Sequence, residues 1–596
     1  VREFTVPATV TVADDASLTD AVRDHAAATP DLVLFRRRVA GSWSDVTAAQ
    51  FARQLAEVAK GLVAAGIQAG QRVALLSKTR YEWTLIDYAI WSVGAVTVPI
   101  YETSSAEQVQ WILSDSGAVA CILESPAHAA TVDSVRGDLP DLQHIWQIDE
   151  GAVGTLTEAG ASVPDAEMVK RRAAVRADDT ATVIYTSGTT GRPKGCLLTH
   201  RNLIFAVGTA VKSMDSMFHE GASTLLFLPL AHVFARVIQC GSVHRGIRLG
   251  HTADVKNLLP DLAEFQPTFL LSVPRVFEKV YNGSKQKAHA DGKGRLFDRA
   301  EHVAIAYSLG RERGGAGLLT RTEHAVWDRL VYTKLRAALG GQCRGAISGG
   351  APLGDRLAHF FRGIGLPVFE GYGLTETSAA ATLNTEGAVR IGTVGRPIPG
   401  TAVRIGEDGE ILLKGDNVFA RYWNNEAASA EVLDADGWFR TGDIGELDED
   451  GFLRITGRKK ELIVTAGGKN VAPAVLEDRL RAHWLISQAM VVGDRRPYIA
   501  ALLTIDVESW PAWLSKNGKP ADAPLSAMAS DPALTAELQA AIDEANKAVS
   551  KAESIRKFRV LDRDFTEDSG ELTPSMKLKR HVVMKERADE VDAIYR

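Results

Sequence analysis

Residues Ala181-Thr-Val-Ile-Tyr185-Thr-Ser-Gly-Thr-Thr-Gly-Arg-Pro-Lys194-Gly195 decide how this chain is read. The apolar start, Ala181 to Ile184, predicts a buried strand. The loop that follows sets Thr186, Ser187, Thr189 and Thr190 among Gly188, Gly191 and Gly195, with Lys194 near its end. Glycines let backbone N–H groups turn toward an anion, and the hydroxyls and the ammonium add further donors. That chemistry suits a polyphosphate. The loop is not a Walker A motif, because Arg192-Pro193 stands where Gly-Lys-Ser/Thr would be required.

Upstream of the loop, helical and strand patterns alternate. Phe51, Leu55, Val58 and Leu62 recur on one helical face, and Thr47 with Gln50 supplies a capping box at its start. Strand patterns at 73–76, 95–99 and 118–123 are separated by helical ones at 81–90 and 106–113. This rhythm predicts an α/β protein with a mostly parallel sheet covered by helices. Ligands in such folds sit beyond the carboxyl ends of the strands, where the 185–195 loop would lie. Downstream, Glu407-Asp-Gly409 and Asp448-Glu-Asp-Gly451 read as hairpin turns between short strands. A domain boundary is expected near Gly457-Arg458-Lys459-Lys460-Glu461. Beyond it come strands at 462–464 and 489–492, a helix at 474–482, a loop at 516–524 and a helix over 534–552.

A chain of 596 residues calls for two or more domains. Its 45% hydrophobic and 24% charged content is that of a soluble globular protein. A net charge of −6 with no long basic block gives no sign of nucleic-acid binding. Cys121, Cys196, Cys240 and Cys343 are scattered without zinc-ligand spacing, as packed thiols in a reducing compartment would be. The first residues show no signal-peptide pattern, and apolar runs such as 88–101 are too short to span a bilayer. The expected location is cytoplasmic.

Further clusters bear chemistry. In Ala346-Ile-Ser-Gly-Gly-Ala-Pro-Leu353, the bare backbone of Gly349 and Gly350, before Ala351, would let a flat ring lie close; a plain strand-to-helix turn reads equally well. In Phe369-Glu-Gly-Tyr-Gly-Leu-Thr-Glu376, Tyr372, bracketed by Gly371 and Gly373, can stack on a purine. There the Thr375 hydroxyl can reach a phosphate and the Glu376 carboxylate can hold Mg²⁺. Trp438-Phe-Arg-Thr-Gly-Asp443 ends in a carboxylate suited to the paired hydroxyls of a ribose, and Arg458 could bridge ribose and phosphate. Lys577, in Gly570-Glu-Leu-Thr-Pro-Ser-Met-Lys577-Leu-Lys-Arg580, carries a mobile point charge able to neutralise a pentacoordinate phosphate.

In this order the motifs resemble the adenylate-forming superfamily of acyl-CoA synthetases, luciferases and peptide-synthetase adenylation domains. The likeness runs over nearly the whole chain. Val98-Pro-Ile-Tyr-Glu-Thr-Ser-Ser105, Ala466-Gly-Gly-Lys-Asn470 and Gly570-Glu-Leu-Thr-Pro574 look like its long-chain fatty acyl-CoA synthetase branch. The resemblance implies a large N-terminal domain (1–457) of βαβ-layered subdomains with a β-rich portion. It implies a hinge at 458–461 pivoting on Lys460, and a small mobile α+β domain (462–596). It assigns the 186–194 loop to the β- and γ-phosphates of ATP, Gly349, Gly350 and Tyr372 to adenine, Thr375 to the α-phosphate and Glu376 to the metal. Lys577 becomes the adenylation lysine, with Lys579 as fallback; many relatives carry Gly where this chain has Met576. Gly467, Gly468 and Lys469 would border a pantetheine tunnel, and His232, in Leu228-Pro-Leu-Ala-His232-Val-Phe-Ala-Arg236, would help place the carboxylate and ATP. Ser272-Val-Pro-Arg275-Val-Phe277 resembles a second border of the acyl site.

The implied reaction converts a fatty acid, ATP and CoA through an acyl-adenylate to acyl-CoA, with Mg²⁺ as cofactor. The alternatives are an acyl-AMP ligase loading a carrier protein and a non-catalytic nucleotide or acyl-lipid sensor. Because such acids partition into bilayers, peripheral contact with the inner membrane face is a further expectation.

Overall fold

The computed structural model describes residues 2–186, 192–253, 257–467, 469–573 and 576–596. At its centre is a seven-stranded sheet. Its order is Arg421–Tyr422, Lys194–Thr199, Thr180–Thr186, Val96–Ile100, Arg72–Leu76, Ala120–Leu123 and His144–Gln147. From Thr180–Thr186 to His144–Gln147 the strands are parallel, as the alternating pattern predicts. Thr180–Thr186 and Lys194–Thr199 instead form an antiparallel hairpin, so the glycine-rich loop joins two neighbours in one sheet. Its two ends therefore project together beyond the carboxyl edge of the parallel stack.

Sequence explains the layers. Val96-Thr-Val-Pro-Ile100 is buried at every position, which suits a strand covered on both faces. The helix Tyr81–Ser92 is buried almost all round, and Trp83 and Trp91 are fully enclosed. Such a helix is held between layers rather than lying on a surface. The helix Ala48–Ala64 begins at the Thr47–Gln50 capping box and buries Phe51, Leu55, Val58 and Leu62. A four-stranded sheet includes Ser223–Leu226 and Arg248–His251. A five-stranded one runs from Phe269–Ser272 through Gly345–Ser348 and Val368–Leu374 to Ala379–Leu383 and Arg396–Pro397. The β-rich portion is an antiparallel sheet containing Thr401–Ile405, Glu410–Gly415, Phe439–Leu447 and Leu453–Arg458.

After Arg458 the chain builds separate cores. Ile463 to Ile555 contribute one apolar cluster and Met490 to Ile594 another, around the strands Ile486–Val492, Ile499–Ile505 and Ile555–Val560. Polar contacts tie this lobe to the larger one. Arg275 donates to Asp506 at 2.6 Å, Lys279 lies 3.2 Å from Glu508, and Gln286 reaches Ser509 at 3.4 Å.

Two expectations need correction. The helix expected over 534–552 spans Pro532–Asn546 only, because the Asn546 amide turns back to pair both the N–H and C=O of Ile555. The 465–469 turn does not lead from the strand expected at 462–464 straight to the helix expected at 474–482. It closes a hairpin between Ile463–Val464 and Asn470–Val471 before the helix Pro473–Arg481 begins.

A buried polar network joins the layers. Arg236 and Asp87 are 1% and 0% exposed and form a two-pronged ion pair, with nitrogen–oxygen distances of 2.5 and 3.2 Å. Arg236 also donates to Thr182 at 2.6 Å and lies against the Trp83 and Trp91 rings. Gln239 donates to Asp87 at 3.0 Å. Every charge here is satisfied, so removing one partner leaves the other stranded in a low-dielectric interior. Arg236→Leu should therefore lower stability by about 3–5 kcal/mol in urea unfolding. The double variant Asp87→Leu/Arg236→Leu should recover most of that loss; a single-variant loss below about 1 kcal/mol would contradict this role.

Candidate active site

The hairpin Phe439–Leu447/Leu453–Arg458 places Asp443 directly opposite Arg458. Asp443 accepts from the Tyr372 hydroxyl at 2.6 Å and lies 3.1 Å from Arg458 Nε. Tyr372 comes from the strand Val368–Leu374, so three separate motifs meet at one carboxylate. The Tyr372 ring is 9% exposed and packs with Ala381, Val403 and Ile411. A purine would thus meet a narrow patch of it, not the free face expected from sequence. Its hydroxyl instead orients Asp443. Burial opposes the Arg458 charge, but Asp443, Glu461, Tyr372 and Glu376 outweigh it and raise its pKa.

Lys577 reaches this cluster from the smaller lobe. Its backbone N–H donates to Thr573 Oγ1 at 3.0 Å and its carbonyl accepts from Thr573 N at 2.8 Å, closing a tight turn. Met576 sits at φ +61°, a left-handed conformation that favours glycine. Lys577 keeps accessible surface in this position. Desolvation and then the Arg458 charge lower its pKa, while Asp443, Glu376 and Glu461 pull the other way.

Glu376 lies in the short 3-10 turn Thr375–Thr377 and is 9% exposed. One of its oxygens accepts from the Tyr422 hydroxyl at 2.8 Å. Tyr422 is opposite Cys196 in the sheet, and Lys194 Nζ lies 5.1 Å from the Tyr422 ring centre. Thr186, opposite Lys194, donates its hydroxyl to the Lys194 carbonyl at 3.5 Å. Both ends of the glycine-rich loop therefore stand beside Glu376. Gly373 is obligatory here, since a Cβ would fall 1.5 Å from the Ala379 carbonyl oxygen. Half-buried Thr375 leaves its hydroxyl unclaimed among the described residues.

A third wall comes from His232 and the Gly349–Gly350 turn. His232 precedes the helix Val233–Arg245, and its Nδ1 accepts from Phe234 N at 3.2 Å. The neutral ring therefore carries its proton on Nε2. A Cβ on Gly349 would sit 3.0 Å from the Phe234 ring, so Phe234 covers Gly349, while Gly350 stays exposed. Gly350 is at φ +84°, and exposed Ala351 follows it. Glu370 holds the turn by accepting from Leu353 N at 2.9 Å, and burial raises its pKa to about 7.

Other expected residues lie elsewhere. Gly467 and Lys469 belong to the hairpin turn, where Lys469 is 3.7 Å from Glu553; no described contact joins them to Glu376, Asp443 or Lys577. Lys579 precedes the helix Arg580–Glu586, and Arg580 is spent on Glu477 and the Val491 carbonyl. Arg236, which ends the 228–236 segment, is taken by Asp87. Ser187, Gly188, Thr189, Thr190, Gly191 and Gly468 fall outside the described residues. Sequence reasoning missed Tyr422, Phe234, Glu370 and Glu461. Tyr422 and Phe234 act through contacts with segments far away in the chain, and only their aromatic character hinted at it; Glu370 and Glu461 stand inside or beside motifs already singled out.

Among the described residues, no three His, Cys, Asp or Glu side chains gather to form a metal cage. A lone carboxylate beside a phosphate-type loop fits Mg²⁺, which is held through one or two carboxylates plus substrate phosphates.

Family models agree with this geometry. That of the AMP-binding enzyme matches residues 22–423, and that of the AMP-binding enzyme C-terminal domain matches residues 460–596. The chain is 55% identical to the long-chain-fatty-acid–CoA ligase FadD15 of Mycobacterium bovis, with 100% of both chains covered. The same figures hold for FadD15 of Mycobacterium tuberculosis. Among solved structures, the A domain of a carboxylic acid reductase from Segniliparus rugosus, in complex with AMP and a co-purified carboxylic acid, superposes with a TM-score of 0.75. It covers 98% of this chain and 95% of its own at 19% identity, a likeness of fold.

The charge state of His232 can be checked directly. Burial, then the nearby Lys577 ammonium, lower its pKa to about 4. The unfolded chain, with histidine near 6.5, binds more protons between these values. The stability from a neutral His232 is thus complete above about 6.5 and is lost as pH falls toward 4. NMR of the ring, assigned with His232→Asn, should show no titration from pH 8 to about 5. A midpoint near 6.5 would contradict this environment.

Proposed function

The chain belongs to the AMP-binding enzyme family, and from that premise we propose that it is a long-chain-fatty-acid–CoA ligase working through an acyl-adenylate. The observation that carries the reading is the meeting of Lys577, Arg458, Asp443 and Glu376 in one cleft between two lobes. Asp443 offers acceptors for ribose hydroxyls, while Thr186, Lys194 and Thr375 stand where the triphosphate would pass. A Mg²⁺ ion carried on the nucleotide would be held by Glu376 and would supply charge neutralisation.

In the first half-reaction a fatty carboxylate oxygen attacks the α-phosphorus of ATP. The new carboxyl–phosphorus bond forms as the bond to the β-phosphate oxygen breaks, and pyrophosphate leaves with the electron pair. The chain contributes positioning and positive charge, which phosphoryl-type transfer chiefly requires. Lys577 and Arg458 face the charge that builds on the α-phosphate, and neutral His232 offers its Nε2–H to an oxygen. In the second half-reaction the CoA sulfur attacks the acyl carbonyl carbon, AMP departs and the thiol proton is released.

We place the pivot between the two half-reactions at Lys460, with lobes at 1–457 and 462–596. Lys460 is exposed and unpaired among the described residues, whereas Lys459 is tied to Asp408 and Glu410. The polar ties between the helix Pro274–Ala290 and residues 506–509 are separable without exposing a core. The four buried, free thiols suit a reducing cytoplasm.

Lys577→Ala tests the division of labour. ATP–pyrophosphate exchange with a long-chain acid should fall on the order of 10²–10³-fold, while CoA thioesterification of supplied acyl-adenylate is retained. Equal loss of both half-reactions would contradict the assignment.

A further inference from the structure

The rod formed by helix Leu318–Trp327, the π-helical turn Asp328–Tyr332 and helix Thr333–Ala338 is apolar on two faces. One face has a partner. Trp327, Val331 and Leu335 pack on the neighbouring core, the His324 ring stacks on Tyr307, and the Tyr332 hydroxyl donates to the Ala300 carbonyl. The opposite face carries Leu319, Val326 and Leu330 at helical spacing, with Leu318 at its edge. They are 80%, 55%, 56% and 78% exposed, and Leu319 and Leu318 are the most exposed large hydrophobics among the described residues. Four of the twelve such residues thus fall within thirteen positions, which is a patch and not scatter.

Charge around the patch is one-sided. The carboxylates of the segment are each taken: Glu312 by Arg362, Glu323 by Arg299 and Asp328 by Arg336. Arg311, Arg313, Arg321, Arg329 and Lys334 are exposed and have no carboxylate partner among the described residues. This local excess of positive charge stands on a chain whose net charge is −6.

We propose that this rod docks the protein on an anionic lipid surface, with Leu318, Leu319, Val326 and Leu330 entering the interface and the flanking cations meeting headgroups. An exposed apolar stripe edged by Arg and Lys is the composition of an interfacial helix. A second copy is the poorer occupant, since a two-fold pairing would bring the same unpaired cations face to face. No described helix is long and apolar enough to cross a membrane, so the contact is peripheral. Its use rests on the long-chain fatty-acid reading, because such acids dissolve in bilayers, but the binding itself is measured without catalysis.

The test is flotation of the full chain with vesicles of equal parts phosphatidylglycerol and phosphatidylcholine, against phosphatidylcholine alone. The wild type should float with the anionic vesicles and be released by high salt. Leu319→Gln/Val326→Gln/Leu330→Gln should cut partitioning by about tenfold or more. Arg321→Gln/Arg329→Gln/Lys334→Gln should cut it by about fivefold per cation, roughly a hundredfold together. All the substituted side chains are exposed, so both variants should keep the wild-type circular dichroism and the wild-type rate on a short, water-soluble acid. Failure of the wild type to float, equal flotation of all three proteins, or an apolar stripe that instead supports a concentration-dependent dimer would overturn the proposal. Loss of ligase activity with flotation intact would strike the functional reading and leave the docking surface standing.

Discussion

The cleft depends on two cations, Arg458 and Lys577, whose charges act on each other. Burial, and after it repulsion between Arg458 from the large lobe and Lys577 from the small one, depresses the Lys577 pKa. Asp443, Glu376 and Glu461 offset part of it. The remainder is a demand for an anion, which a nucleotide triphosphate would meet. Because the two cations come from different lobes, the same electrostatics would couple the proposed lobe closure to nucleotide binding. On the proposed mechanism, less negative charge would remain to hold Lys577 in place once pyrophosphate has left, and an exchange of lobe orientation would become cheaper. Separate hydrophobic cores and polar contacts between the lobes are what the proposed exchange would need.

The large lobe supplies the opposite property, rigidity. Asp87, Arg236, Thr182 and Gln239 lock the helices Tyr81–Ser92 and Val233–Arg245 to the central sheet. The second helix begins just after His232, so the network fixes where that imidazole stands. The Tyr422–Glu376 bond does the same for the acidic residue, through a two-residue strand paired beside the glycine-rich loop. The reacting atoms would thus be held by a stiff platform on one side and a movable lysine on the other. This arrangement suits a reaction whose barrier is lowered by position and charge.

Much of this was legible in the sequence, for identifiable reasons. Tyr372, Thr375, Glu376, Asp443, Arg458 and Lys577 lie in short motifs whose local chemistry is readable without a fold. The Thr47–Gln50 capping box and the strand-helix alternation from 73 to 123 are likewise local, and the structure keeps them. What escaped was set by contacts distant in sequence. Nothing near Tyr422 announces that it will pair with Cys196 and reach Glu376. Nothing near Gly349 shows that the Phe234 ring will cover it, or near Arg236 that Asp87 will claim it. The helix ending at Asn546 was missed because a side-chain amide outcompeted the helical pattern.

The central claim is that Lys577 is a destabilised cation awaiting a polyphosphate. Its pKa can be followed by pH-dependent amine labelling with mass-spectrometric readout, with and without a non-hydrolysable ATP analogue. A value below that of an ordinary lysine in the free protein, rising when the analogue binds, is the result this account requires. An ordinary value unchanged by the nucleotide would contradict it.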